Sequence, residues 1–259
     1  MLYAAGALTI EIQLRALEAG LTLKDATPNN VLFEGSQPMF VDILSVTSRP
    51  SGVAVWPAYA QFIRTFLLPL LRYRKQGVSP HELFLGRRDG LEPEEVYREL
   101  NLLARLSPLA LRYVSVPTWL GRSHMAEEVS PQTTRRYESE QGQAIAQMLV
   151  RGLRRAFAKL QPKEGRASRW SDYMLTSSYD RKAFEGKTAF VNESLAAFSA
   201  QTVLDVGCNT GHFSRLAATS GAKVVGLDYD PAVVGGLFNR SREENLSVLP
   251  LVMNLARPS

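Results

Sequence analysis

Val203-Leu204-Asp205-Val206-Gly207-Cys208-Asn209-Thr210-Gly211-His212-Phe213-Ser214 passes from an apolar strand into a glycine-rich turn and on into a helix. A second stretch, Val224-Val225-Gly226-Leu227-Asp228-Tyr229-Asp230, is another apolar strand that ends on a carboxylate. Gly207 and Gly211 let the backbone come close to a ligand where a Cβ would collide, and Asn209 is one of the few other residue types that tolerate a positive φ. The rest of residues 201–259 keeps the alternation. Strand patterns at 203–206, 223–227 and 247–253 bracket helical patterns at 211–220 and 231–245. Strand, helix, strand, helix, strand at this spacing predicts an α/β fold with a parallel sheet.

Two kinds of nucleotide ligand suit a strand–turn–helix followed by an acid that can accept both hydroxyls of a ribose. A dinucleotide site requires Gly-x-Gly-x-x-Gly, whereas this turn has Asn209 in the place of the second glycine and His212 in the place of the third. Asp205 would also put negative charge beside a pyrophosphate, but it suits a ligand with a cationic amino group. S-adenosylmethionine has that group, a sulfonium and no phosphate. On these residues the chain resembles the class I S-adenosylmethionine-dependent methyltransferases. Asp-x-Gly-Cys-Asn-Thr-Gly followed by Phe213-Ser214 is similar to a subgroup in which asparagine replaces the middle glycine, a subgroup that includes proteins similar to a host-specific nodulation protein. The resemblance implies that Asp205, Gly207, Asn209 and Gly211 surround the methionine half of the cofactor, that Asp228 holds the ribose, and that Tyr229 lies against the adenine. Leu249 to Leu255 resembles the family's third strand, whose end presents an acid to the adenine; here the residue is Asn254, which can hydrogen-bond but carries no charge. Trp170, Tyr173, Tyr179 and Lys187 resemble the lead-in of the same subgroup and are expected to cap the cofactor or to pack on the sheet.

The N-terminal part reads differently. A helix over 5–19 stops at Gly20, and short extended pieces follow at 21–23, 31–33 and 39–44. Asp25 and Asn30 stand five apart in Asp25-Ala26-Thr27-Pro28-Asn29-Asn30, with Asp42 ending a later strand. This segment resembles the catalytic loop of kinase-like phosphotransferases, in which an Asp, a metal-binding Asn and a second metal-binding Asp serve phosphoryl transfer. No glycine-rich phosphate loop and no Lys–Glu pair precede it, so the reading is a kinase-derived scaffold that does not transfer phosphate, with a plain Asx turn as the alternative. Helical periodicity then runs from about 57 to 126, and Ala146, Leu149, Val150, Leu153, Phe157 and Leu160 mark a further amphipathic helix. Its opposite side is basic: Arg151, Arg154, Arg155, Lys159, Lys163, Arg166 and Arg169 face a lone Glu164, which suits a solvated helix face better than an anion site.

Composition bounds what such a chain can do. Of 259 residues 45% are hydrophobic and 21% charged, ordinary globular usage that excludes a disordered or fibrous protein. Lys plus Arg number 30 against 25 Asp plus Glu, an excess too mild for a dedicated nucleic-acid binder. A single cysteine, Cys208, excludes an internal disulfide and a Cys-rich metal site and fits a reducing, cytoplasmic setting; between glycines it reads as a small buried residue and not a nucleophile. No apolar run approaches the roughly 20 residues of a membrane span. His81 and His124 fit no metal or triad spacing, and no metal ligand set is assigned.

The expected organisation is a kinase C-lobe-like, mostly helical region over 1–130, a linker with lead-in helices over 131–200, and a partial Rossmann-like methyltransferase sheet, its first three strands, over 201–259. The expected activity is methyl transfer from S-adenosylmethionine to a small molecule, a glycan or a protein; the alternatives are a catalytically silent binding module and a phosphotransferase remnant. No catalytic base is assigned. A doubly wound domain usually takes about five to seven strands, so three strands predict that the chain is a fragment of a longer protein.

Overall fold

The computed structural model describes residues 1–124, 138–162 and 181–256. The chain divides into two compact units: residues 2–32 with 40–162, and Met1 with 33–39 and 163–259.

The first unit begins with helix α1 (Leu2–Glu18), which buries Ala4, Ala5, Ile10, Leu14 and Leu17. Gly20, at φ +72°, ends it and donates its N–H to Leu17 O. Strand β1 (Leu21–Leu23) pairs antiparallel with β4 (Val46–Ser48); β2 (Val31–Glu34) forms a hairpin with β3 (Gln37–Phe40), most of whose residues, 33–39, count with the second unit. Residues 39–44, expected as one strand, are divided. β3 stops at Phe40, and Ile43–Ser45 makes a single 3-10 turn before β4, so Ile43 and Leu44 are apolar but exposed.

Gln13 ties α1 to β1. It is fully buried, its Oε1 accepts the Leu23 N–H at 2.8 Å, and its Nε2 donates to Thr22 Oγ1 at 3.1 Å. Replacing it with leucine keeps the volume but orphans the buried Leu23 N–H, which costs about 1–3 kcal/mol. Chemical denaturation of Gln13→Leu is expected to show a loss in that range, and an unchanged midpoint would count against this bond.

Short helices follow: α2 (Tyr59–Phe62), α3 (Leu68–Gln76), α4 (Pro80–Gly86), α5 (Pro93–Glu99), α6 (Leu102–Arg105), α7 (Pro108–Ala110) and α8 (Val116–His124). Two π-helical turns, Ile63–Leu67 and Leu111–Ser115, lie directly before α3 and α8. Each is followed by a proline, Pro69 or Pro117, in the second position of the next helix. Proline lacks the N–H for an i→i−4 bond and its ring strikes that carbonyl, so the turn before it widens.

Helix α9 (Ser139–Ala158) packs along α1. Of the residues that the spacing marks, Ala146, Val150, Leu153 and Phe157 are buried, whereas Leu149 is exposed. Phe157 stacks on Tyr3 at 5.2 Å and meets Phe62 edge-on at 5.3 Å. This helix therefore belongs to the first unit and not to a linker over 131–200. Arg151, Arg154, Arg155 and Lys159 are exposed on its outer side, with Arg154 3.6 Å from Glu11. Lys163, Glu164, Arg166 and Arg169 lie outside the described residues.

The second unit is α/β. Helix α10 (Arg181–Phe198) precedes β5 (Thr202–Val206), α11 (His212–Thr219), β6 (Lys223–Asp228), α12 (Pro231–Glu243) and β7 (Val248–Val252). The three strands are parallel in the order β5-β6-β7, with Val203 opposite Val224 and Val224 opposite Val248. Pro250 is accommodated because β7 is an edge strand. Val224, Val248, Ala217, Ala218 and Leu237 form the core between one sheet face and the helices. Gly226 allows this closeness: a Cβ there would sit 3.2 Å from Ser214 Oγ and 3.3 Å from Cys208 Sγ. On the other face, Leu204 and Val206 of β5 are more than half exposed.

Candidate functional site

All three strands of the second unit end on the same side, and the loops leaving them are stitched together. Gly207 N and Cys208 N both donate to Leu227 O, at 2.8 and 2.9 Å, and Met253 N donates to Asp228 O at 2.8 Å. A cavity of about 420 Å³ opens among these loops, lined by Val206, Gly207, Asn209, Leu227, Asp228, Tyr229, Met253, Asn254, Leu255 and Ala256. Its position at the carboxyl ends of parallel strands is the usual ligand position in open α/β sheets.

Gly207 and Asn209 carry φ values of +71° and +49°. A Cβ at Gly207 would meet nothing within 4 Å, so that position faces open space. Asp228 does more than line the wall. Its Oδ2 accepts the Asn209 N–H at 2.9 Å and its Oδ1 accepts the Asp230 N–H at 3.0 Å, clasping the first loop to the second. Each carboxylate oxygen keeps lone-pair capacity for a further donor. Arg240 Nη2, donating to Thr210 O at 2.7 Å, braces the turn from α12.

Five of the residues singled out from sequence thus come together: Gly207, Asn209, Asp228, Tyr229 and Asn254. The other two are used differently. Asp205 Oδ2 accepts the Ser214 hydroxyl at 2.6 Å, which ties β5 to α11, and it does not line the cavity. Gly211 caps α11 with φ +83°, and a Cβ there would lie 2.1 Å from Leu237 Cδ1, so its lack of a side chain serves helix packing. Met253, Leu255 and Ala256 were not singled out from sequence. The signal that could have found them is their place just after the third strand, opposite the other two loops.

Cys208 is inert by its surroundings: burial first, then the charges of Asp205 and Asp228, push its thiol up to about 12. His212 begins α11 between Phe184 and Phe213, with ring centroids 4.7 and 4.9 Å away. Burial, helped by Arg215, lowers its pKa. Lys187 sits 4.6 Å over the Phe213 ring, which places it against α11 and not in the cavity lining. Trp170, Tyr173 and Tyr179 lie outside the described residues.

In the first unit, Ser45 Oγ accepts the Asp25 N–H at 3.2 Å and donates to Asp25 O at 3.1 Å, while Val41 N donates to Asn30 O at 2.9 Å. These bonds bring the Asp25–Asn30 loop beside the turn that starts at Asp42. Asn30 Nδ2 is buried and has no hydrogen-bond partner among the described residues. No group of three or more His, Cys, Asp or Glu able to hold a metal occurs among the described residues, and no helix among them is long and apolar enough to cross a membrane.

Residues 149–251 match a family described as a methyltransferase domain. Over 262 residues the chain is 30% identical to the nodulation protein NoeA of Rhizobium meliloti (strain 1021), a match that takes in all of this chain and 54% of NoeA. The chain therefore spans about half the length of that curated relative. A solved structure, TehB from Haemophilus influenzae, overlaps 32% of this chain and 28% of its own at 24% identity and a TM-score of 0.25, too slight a likeness to carry an argument.

Proposed function

We propose, from the match of residues 149–251 to a family described as a methyltransferase domain, that the chain binds S-adenosylmethionine and serves methyl transfer to an acceptor that is a small molecule, a glycan or a protein. The observation that carries the reading is the cavity at the ends of β5, β6 and β7, with an open glycine, a carboxylate and a half-exposed tyrosine on its wall. Those residues fit the cofactor's chemistry. Among the described residues the wall holds an acid for ribose hydroxyls and no cluster of basic side chains that would mark a phosphate site.

When bound, S-adenosylmethionine supplies an electrophilic methyl group on a sulfonium. The chain's part is to bind and orient. Gly207 and Asn209 offer main chain to the methionine half, Asp228 accepts from the ribose, Tyr229 presents its ring to the base, and Asn254 meets the base edge. Asp205 supports this from behind by holding Ser214, and Gly211 by letting α11 seat against Leu237. Rate enhancement by holding two reactants in line can reach several kcal/mol without a protein base.

Calorimetric titration of the 259-residue chain with S-adenosylmethionine is expected to give saturable one-to-one binding; its absence would sink the reading. The N-terminal unit fits a kinase-derived scaffold that shapes or recruits the acceptor, a reading supported by the stitched loop from Asp25 to Ser45. ATP with magnesium is accordingly expected to give no saturable heat, and ATP binding abolished by Asp42→Ala would favour a phosphotransferase instead.

A further inference from the structure

One peptide group of the glycine turn is gripped at both ends. Between Thr210 and Gly211 the N–H donates to Cys208 O at 2.8 Å, and the C=O accepts from Arg240 Nη2 at 2.7 Å. Arg240 stands in the last turn of α12, yet its side chain runs back towards the start of that helix: a Cβ on Gly236, one turn earlier, would lie 3.5 Å from Nη2. Its Nε is buried and has no hydrogen-bond partner among the described residues. A buried N–H left unpaired costs free energy, so the bond to Thr210 O has to hold the side chain on this course. That oxygen belongs to a turn under strain. Asn209, at φ +49°, occupies a region that residues with a Cβ rarely adopt, and Gly211, at φ +83°, would take a negative φ as readily. Such a conformation persists only where its surroundings over-determine it. Arg240 is not among the residues lining the cavity, so it reaches a ligand there through the turn.

We infer that Arg240 is a positioning residue for the cofactor: by fixing the Thr210–Gly211 peptide group it keeps Gly207 and Asn209 in the arrangement that the ligand meets. The inference rests on the cofactor reading above and adds to it a side chain from outside the cavity. Without the bond the peptide group is free to turn over and Gly211 to relax to negative φ. Apparent affinity then falls in proportion to the fraction of chains whose turn is competent. The bound state keeps its own contacts, so the loss falls on association and not on dissociation.

The test measures S-adenosylhomocysteine binding to the immobilised chain by surface plasmon resonance, for wild type, Arg240→Met and Arg240→Lys, with circular dichroism to check the fold. Methionine keeps an apolar stem and has no donor, whereas lysine keeps a charged donor. Arg240→Met is expected to bind about 10-fold weaker, with the dissociation rate constant within about 2-fold of wild type, and Arg240→Lys to bind within about 3-fold of wild type. Should Arg240→Met not fold, Arg240→Gln, which is polar but too short to reach Thr210 O, takes its place with the same expectations. An affinity within about 2-fold of wild type in the variant without the bond, a loss that falls on dissociation, or a lysine variant as weak as that one overturns the assignment and leaves the cofactor reading standing. Failure of the wild type to bind S-adenosylhomocysteine overturns the cofactor reading, and this assignment with it.

Discussion

Asp228→Ala is expected to weaken S-adenosylmethionine binding by roughly 10-fold or more, and to do so by two routes. The first is direct loss of a charged acceptor for the ribose, since hydrogen bonds to charged groups contribute about 1.5–3 kcal/mol each. The second is indirect. Both carboxylate oxygens already accept backbone N–H groups, from Asn209 and Asp230, and alanine leaves those two donors without a partner. Asp228→Asn separates the routes. An asparagine has one acceptor oxygen, so its NH2 group would confront one of the two backbone N–H donors. If Asp228 serves only the ribose, the amide, which keeps one acceptor, should retain part of the binding that alanine loses. If it also clasps the loops, Asp228→Asn should be impaired almost as much as Asp228→Ala. Titration of both variants decides the matter, and an Asn variant within about 3-fold of wild type would remove the clasp from the argument.

Two glycines in one turn should respond to the same substitution to different degrees and for different reasons. Both Gly207 and Gly211 have positive φ, at +71° and +83°, so alanine at either bears a backbone penalty of about 1–2 kcal/mol. At Gly211 the new Cβ also lies 2.1 Å from Cδ1 of the fully buried Leu237. That side chain would have to shift within the core, and overpacking adds about 1–3 kcal/mol. Gly211→Ala is thus expected to lose about 2–5 kcal/mol in chemical denaturation. At Gly207 a Cβ meets nothing, so Gly207→Ala should lose only the backbone part while binding S-adenosylmethionine more weakly, because the methyl group projects where the ligand would approach. Equal stability losses at the two positions would contradict the packing account.

The sheet unit was readable from sequence because every signal in it is local. Three apolar residues and an aspartate, a glycine turn and a helix follow one another without interruption from Val203 to Ser214, and the period changes where the structure changes. The wall of the cavity was readable for the same reason, since Gly207, Asn209, Asp228, Tyr229 and Asn254 each sit at the end of a strand. What stayed hidden depends on partners remote in sequence. Nothing beside Asp205 announces that Ser214 will bind it, and nothing beside Gly211 announces Leu237 in another helix. Pairing of β1 with β4 was missed because Val46–Ser48 is too short to show a period and follows a turn whose residues are apolar. The place of α9 against α1 was hidden as well: an amphipathic stripe reveals that a helix is buried on one side but not which neighbour covers it, and only Gly6, where a Cβ would lie 2.5 Å from Phe157 Cζ, records that contact in composition.

The two widened turns before Pro69 and Pro117 also govern the phase of everything after them. A π turn takes up more residues than an α turn, so the helix leaving it is rotated relative to one that had continued regularly. The offset for one residue is about 100° around the axis. With proline in place, Leu70 and Leu71 of α3 point into the core, where both are buried. Were the turn to relax to regular α-helix, the same residues would come round to a different side. Pro69 and Pro117 therefore act as angular set-screws, deciding which stripe of the following helix is the inward one.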